Sequence, residues 1–148
     1  MKVLLVAMGP TIPGDGLVAG VQALQRNGSH VELVSRRPAS EALAAVLDGV
    51  HPLPSGPAAP GAGAAALTTL LSRLPGPARK LRFDPDRLAG ALRLNRDAAT
   101  RSLVRTADVV VAVDQAAVPA VWWAARRRPS LIALNGVPAA VTRLTAGA

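Results

Sequence analysis

The sequence predicts a single α/β domain, a Rossmann-like three-layer sandwich around a five-stranded parallel sheet. Strand-like and helix-like segments alternate along the chain, the pattern of a sheet joined by crossover helices. Val3 to Ala7 is a continuous apolar run, suited to a central strand covered on both faces. The chain has 148 residues, half of them apolar, which is enough to bury one core.

The elements follow in order. After the first strand, Leu17 to Arg26 reads as helix, with Val18, Val21, Leu24 and Gln25 on one side and Asn27-Gly28 as the stop. His30 to Ser35 is a second strand, closed by Arg36-Arg37-Pro38. Ser40 caps a short helix running through Leu47, with Glu41 in the first turn, where a carboxylate suits the helix dipole. Val50 to Leu53 is a short third strand. Pro54 to Gly63 is a low-complexity Pro/Gly/Ala loop, expected to be mobile, and Ala64 to Leu74 has a helical pattern stopped by Pro75-Gly76-Pro77.

Asp86 to Thr106 is expected to be the longest helix. Its apolar face is Leu88, Leu92, Ala99 and Leu103, with Arg93, Asp97 and Arg101 opposite. Asp108 to Val113 is the clearest strand in the chain, followed by a helix from Ala116 to Arg128. Leu131 to Leu134 is a fifth strand, and Val137 to Leu144 a last helix. Right-handed crossovers then give the sheet order 3-2-1-4-5, one domain over residues 1–148.

Composition narrows the functional classes. With no cysteine, disulfides, thiolate catalysis and cysteine-held zinc are excluded. His30 and His51 are the only histidines, so a histidine-rich metal cluster is excluded too, and no metal or cofactor is expected. The first apolar run is too short for a signal peptide, and the uncharged stretch from Gly49 to Ser72 is broken by proline and glycine. The chain therefore reads as cytoplasmic, without a transmembrane segment. The net charge of +8 permits an anionic ligand or surface, yet Phe83, Trp122 and Trp123 are the only aromatics. Nucleic-acid binding is not expected, because base-stacking platforms are scarce.

In open α/β sheets ligands sit beyond the carboxyl ends of the strands, where the strand order reverses. Here that point lies between the first and fourth strands. It brings together the loop Gly9 to Gly16, then Asp114-Gln115, with Asn135-Gly136 alongside. The glycines Gly9, Gly14 and Gly16 precede a helix start, so outward N–H groups could take an anion, or the glycines could simply make turns. Gly14, Gly16 and Ala19 also match G-x-G-x-x-A, and Arg36 and Arg37 end the second strand as an NADP 2′-phosphate site would require. Against this NADP reading, Gly9 to Pro13 intervene before the match, and the fingerprint normally follows its strand directly.

Several stretches resemble the opening of GT-B-type glycosyltransferases of the family-4 kind. They are Met1 to Val6, the Gly/Pro loop, Val21-Gln22-Ala23-Leu24, and Asn27-Gly28-Ser29-His30-Val31-Glu32-Leu33-Val34. Ala107-Asp108-Val109-Val110-Val111-Ala112 resembles that family's "A-D-V-V" strand, and Leu134-Asn135-Gly136 a later strand end that commonly carries His-Gly. The resemblance implies the acceptor-side half of a sugar-transfer enzyme, with the glycine loop facing an interdomain cleft. The chain ends at Ala148, so the donor-binding half is expected elsewhere, and Asn135 replaces a histidine that could titrate.

Asp114 and Asp15 are the carboxylates nearest this cleft and the candidates for acid/base work. Each also has an ordinary role, a helix N-cap for Asp114 and a turn for Asp15. Gly9, Gly14, Gly16, Gln115, Asn135 and Arg36 are the candidate ligand contacts. His30 and His51 have no partner by spacing and read as structural. Arg126, Arg127 and Arg128 close a helix, where cations suit the dipole. Trp122 and Trp123 point about 100° apart on a helix, so one is expected at the surface and at an interface.

Three functional readings stand, of which an NADP-binding reductase fragment is the least favoured because of the placement of its glycines. One is a glycosyltransferase-like domain, half of a split enzyme or a reduced relative, taking a nucleotide sugar or acceptor in a cleft shared with a second chain. Another is a non-catalytic small-molecule or protein-binding module, with a homodimer as a further option.

Overall fold

A computed structural model describes residues 1–12, 14–53, 90, 92, 94 and 96–146, with the side chain of Asp15 outside that set. The described elements run β1 (Lys2–Ala7), α1 (Asp15–Arg26), β2 (His30–Ser35), α2 (Glu41–Val46), β3 (Gly49–Pro52), α3 (Ala98–Thr106), β4 (Val109–Ala112), α4 (Val118–Arg127), β5 (Ile132–Asn135) and α5 (Val137–Thr145). The strands form one sheet in the order β3-β2-β1-β4-β5, and every pairing is parallel. The expected fold class and topology are both present.

Period-two alternation divides β1, β2 and β4 between two cores. Val3 and Leu5 of β1, Val31 and Leu33 of β2, and Val109 and Val111 of β4 face one side. There they pack on Leu17, Val21 and Leu24 of α1, Leu43 of α2, and Val137 and Ala140 of α5. Leu4, Val6, Val34, Val110 and Ala112 face the other side, against Leu94, Leu103 and Val104, and Ala120, Val121 and Ala124 of α4. Continuous apolar runs in β1 and β4 are thus the signature of strands covered twice. Helices α1 and α5 approach so closely that a Cβ on Gly20 would collide with Val137 Cγ1, so that glycine permits the packing.

Three expectations need correction. The helix expected over Asp86–Thr106 is broken at Asp97, whose backbone is extended (φ −65°, ψ 123°). Its carboxylate accepts the Thr100 N–H and hydroxyl, both at 2.7 Å, so Asp97 starts α3 afresh rather than lying on an outer face. Thr100, not Ala99, is then the buried position. Helix α4 begins at Val118 instead of Ala116, because Pro119 is accommodated only in a first turn. Strands β3 and β5 each sit one residue from their expected bounds. The loop 54–63 and the helix 64–74 lie outside the described residues, as do Leu88 and Arg93.

Candidate functional site

The carboxyl ends of β1 and β4 lie side by side at the point where strand order reverses. Asp114 joins them. Its Oδ2 accepts the N–H groups of Met8 and Gly9, each at 2.8 Å, and its Oδ1 accepts the Ala117 N–H at 2.9 Å. One side chain therefore ties the β1 exit to the turn that leads into α4. Both oxygens are engaged with backbone, but Asp114 is not the helix N-cap expected: that position is Ala117, which has no side-chain cap, and Asp114 holds the turn before it. A Cβ on Gly9 would lie 3.1 Å from Asp114 Oδ2, so a larger residue there must push against the clasp.

The remaining candidates sit around this clasp. Arg36 follows β2, with its N–H bonded to the Ala7 carbonyl (3.1 Å) and its side chain exposed. Gln115 is exposed in the turn after Asp114. Asn135 ends β5 opposite Ala112, and the Gly136 N–H binds the Ala112 carbonyl at 2.8 Å. Gly136 has φ of +86°, a conformation that favours glycine, and it caps α5. Gly14 is the N-cap of α1, and Gly16 lies in its first turn with open space where a side chain would stand. The Asp15 side chain, a candidate carboxylate, is outside the described set.

The structure thus places Gly9, Arg36, Asp114, Gln115 and Asn135 at one edge of the sheet, and brings Gly9 and Asp114 into contact. Arg36 and Asn135 are three strands apart, about 14 Å at ordinary strand spacing.

Sequence reasoning missed a polar cluster at the opposite edge. Glu32 is only 8% exposed within β2. Its Oε1 is 3.0 Å from Lys2 Nζ and 3.1 Å from His30 Nε2, and its Oε2 is 3.4 Å from His51 Nε2. His30 Nδ1 also lies 3.4 Å from Asp48 Oδ2, which itself accepts the Val31 N–H at 2.6 Å. Two spacings could have signalled this. His30 and Glu32 are two apart on a strand and share a face, and Gly49, beside Glu32 in register, leaves room for His51. Burial pushes the Glu32 carboxyl up, but the Lys2 hydrogen bond and charge, the His30 hydrogen bond and the His51 charge outweigh it, leaving it below the ordinary 4.5. The Val31 N–H is the main cause that holds Asp48 below 3.8.

Among the described residues no group of three or more His, Cys, Asp or Glu is placed to hold a metal. Nor is any helix among them long and apolar enough to cross a membrane. Trp122 is 56% exposed and Trp123 is half-buried, as their angular offset on α4 requires. Comparison with protein-family models, with curated proteins and with solved structures returned no match to this chain.

Proposed function

We propose that this chain is a cytoplasmic, glycosyltransferase-like ligand-binding domain that seats an elongated polar ligand, a nucleotide sugar or its acceptor, along the carboxyl edge of the sheet. The observation that carries the reading is the Asp114 clasp at the strand-order reversal. It pins the start of the β1–α1 loop beside Gln115, so that Gly14 and Gly16, Arg36 and Asn135 rim one edge. On this reading Asp114 holds backbone and carries no proton-transfer role. Sugar-transfer chemistry would then need groups from a second domain or a partner chain.

The reading is tested by titrating the chain with a uridine-diphosphate sugar and separately with NADPH, by calorimetry. Binding of the nucleotide sugar is expected, and it should be lost in Gly16→Val while the circular-dichroism spectrum is retained. Unchanged affinity in that variant removes the glycine loop from the site. Binding of NADPH alone transfers the site to the dinucleotide reading, for which the exposed Arg36 at the end of β2 is the supporting feature. The native mass of the chain, measured in cell extract, shows whether a second polypeptide accompanies it.

A further inference from the structure

A recessed surface away from the clasp residues lies between α3 and α4. Helices α3 and α4 diverge over a cleft of about 400 Å³, lined among the described residues by Leu94, Arg101, Val104, Arg105, Ala124, Arg127 and Arg128. Its character is twofold: the half-buried Val104 and the arginine stems supply apolar surface over the buried Leu94 and Ala124, and the four other residues are arginines. No carboxylate is among these lining residues.

The charge arrangement follows from the local fold. Arg101 and Arg105 are one helical turn apart on α3, so their exposed side chains project from one face. The carboxyl end of a helix would ordinarily repel an anion, because unpaired carbonyls point outward there. Arg128 removes that obstacle. Its Nη1 donates to the carbonyls of Val104 (3.0 Å), Arg105 (2.7 Å) and Ala107 (2.7 Å). The carbonyl end of α3 is thus covered by a fixed guanidinium. Arg127 stands 5.8 Å from the centre of the Trp123 ring, which places an aromatic reporter beside the cleft.

We propose that this cleft binds an organic phosphate ester with an apolar body: the phosphate is held by the Arg101 and Arg105 guanidinium groups and the apolar part rests on Val104 and the methylene stems of the arginines. Planar guanidinium forks match phosphate oxygens, and the apolar floor adds burial that inorganic phosphate cannot use. The inference stands independently of the reading of the carboxyl edge.

The test uses the full chain carrying Trp122→Phe, so that Trp123 is the only tryptophan left to emit. Octyl phosphate should shift its emission saturably, inorganic phosphate should bind about ten-fold more weakly, and octanol should give no response. Arg101→Gln with Arg105→Gln should weaken octyl phosphate about ten-fold or more. Arg126→Gln, whose ring contact is with Trp122 outside the cleft, should leave affinity unchanged. If the glutamine pair misfolds, Arg101→Lys with Arg105→Lys keeps the charge and loses the forks, and an intermediate affinity is expected. An unchanged affinity in either pair, or no saturable binding of octyl phosphate, overturns the proposal. Co-sedimentation with vesicles containing phosphatidic acid, but not with phosphatidylcholine alone, names a lipid headgroup as the source of the phosphate. Saturable octyl phosphate binding without co-sedimentation names a soluble ester.

Discussion

The two edges of the sheet each use a carboxylate, and they use it in opposite ways. At the carboxyl edge, Asp114 is held by three backbone N–H groups from two loops. At the amino edge, Glu32 is surrounded by the side chains of Lys2, His30 and His51. Backbone donors fix a geometry, whereas ionisable side chains around a carboxylate also set a local potential. The first edge is built to keep loops in place, and the second to keep a buried charge soluble within a strand.

Breaking the clasp should have the largest effect. Asp114→Ala strips the acceptor from three N–H groups, at about 1 kcal/mol each, so a loss of about 3 kcal/mol is expected. Urea unfolding should show a lower midpoint with an unchanged slope, and Asp114→Asn should recover part of the loss. A shift within error of wild type would reduce the clasp to a contact of no consequence.

A smaller effect separates two glycines of the same loop. Gly9→Ala forces a Cβ to within 3.1 Å of Asp114 Oδ2 and should destabilise by about 1 kcal/mol. Gly16→Ala meets nothing within 4 Å in the first turn of α1 and should stabilise by about 0.5 kcal/mol. Thermal melts of the pair should therefore move in opposite directions; movement in the same direction contradicts the clasp geometry.

The smallest effect belongs to the amino edge, and it depends on pH. Glu32 has a folded pKa below its ordinary 4.5, so its contribution is complete above that value and is lost as pH falls through the folded one. Asp48 and Asp97, both held below 3.8, add acid lability of the same sign. Glu32→Gln should cost less than about 1 kcal/mol at pH 7, since its partners are partly exposed. The gap between variant and wild type should narrow as pH falls below 4.5 and through the folded value. A gap that persists into acid would mean that Glu32 acts through packing rather than charge.

The layers and strand order were legible because they rest on apolar periodicity, which is local. β1, β2 and β4 carry runs of Val and Leu with few competing signals, and Ser40 caps α2 as its residue type suggests (Leu43 N–H to Oγ, 3.3 Å). The break at Asp97 was hidden because the surrounding residues continue a helical pattern, and only the Asp97–Thr100 spacing betrays a cap. The carboxyl edge was located from topology, yet the way its residues are used was not. Asp114 and the Met8 amide it holds are 106 positions apart, and no local pattern couples them. The Glu32 cluster escaped for the same reason, since Lys2 and His51 reach it only through strand pairing.

The pairing of β1 with β4 also has a consequence in time. Residues 2–53 can assemble β1, β2 and β3 with α1 and α2 from neighbouring sequence, at a modest loop-closure cost. The other flank of β1 must wait for Val109–Ala112, with Lys2 and Asp108 meeting across 106 positions. During synthesis the central strand would therefore leave the ribosome with one bare edge, and would stay bare until most of the chain had emerged. A nascent chain stalled once Pro52 had cleared the ribosomal exit tunnel, but before β4 had, would present a half-sheet with its β1 edge open to a strand from a neighbour.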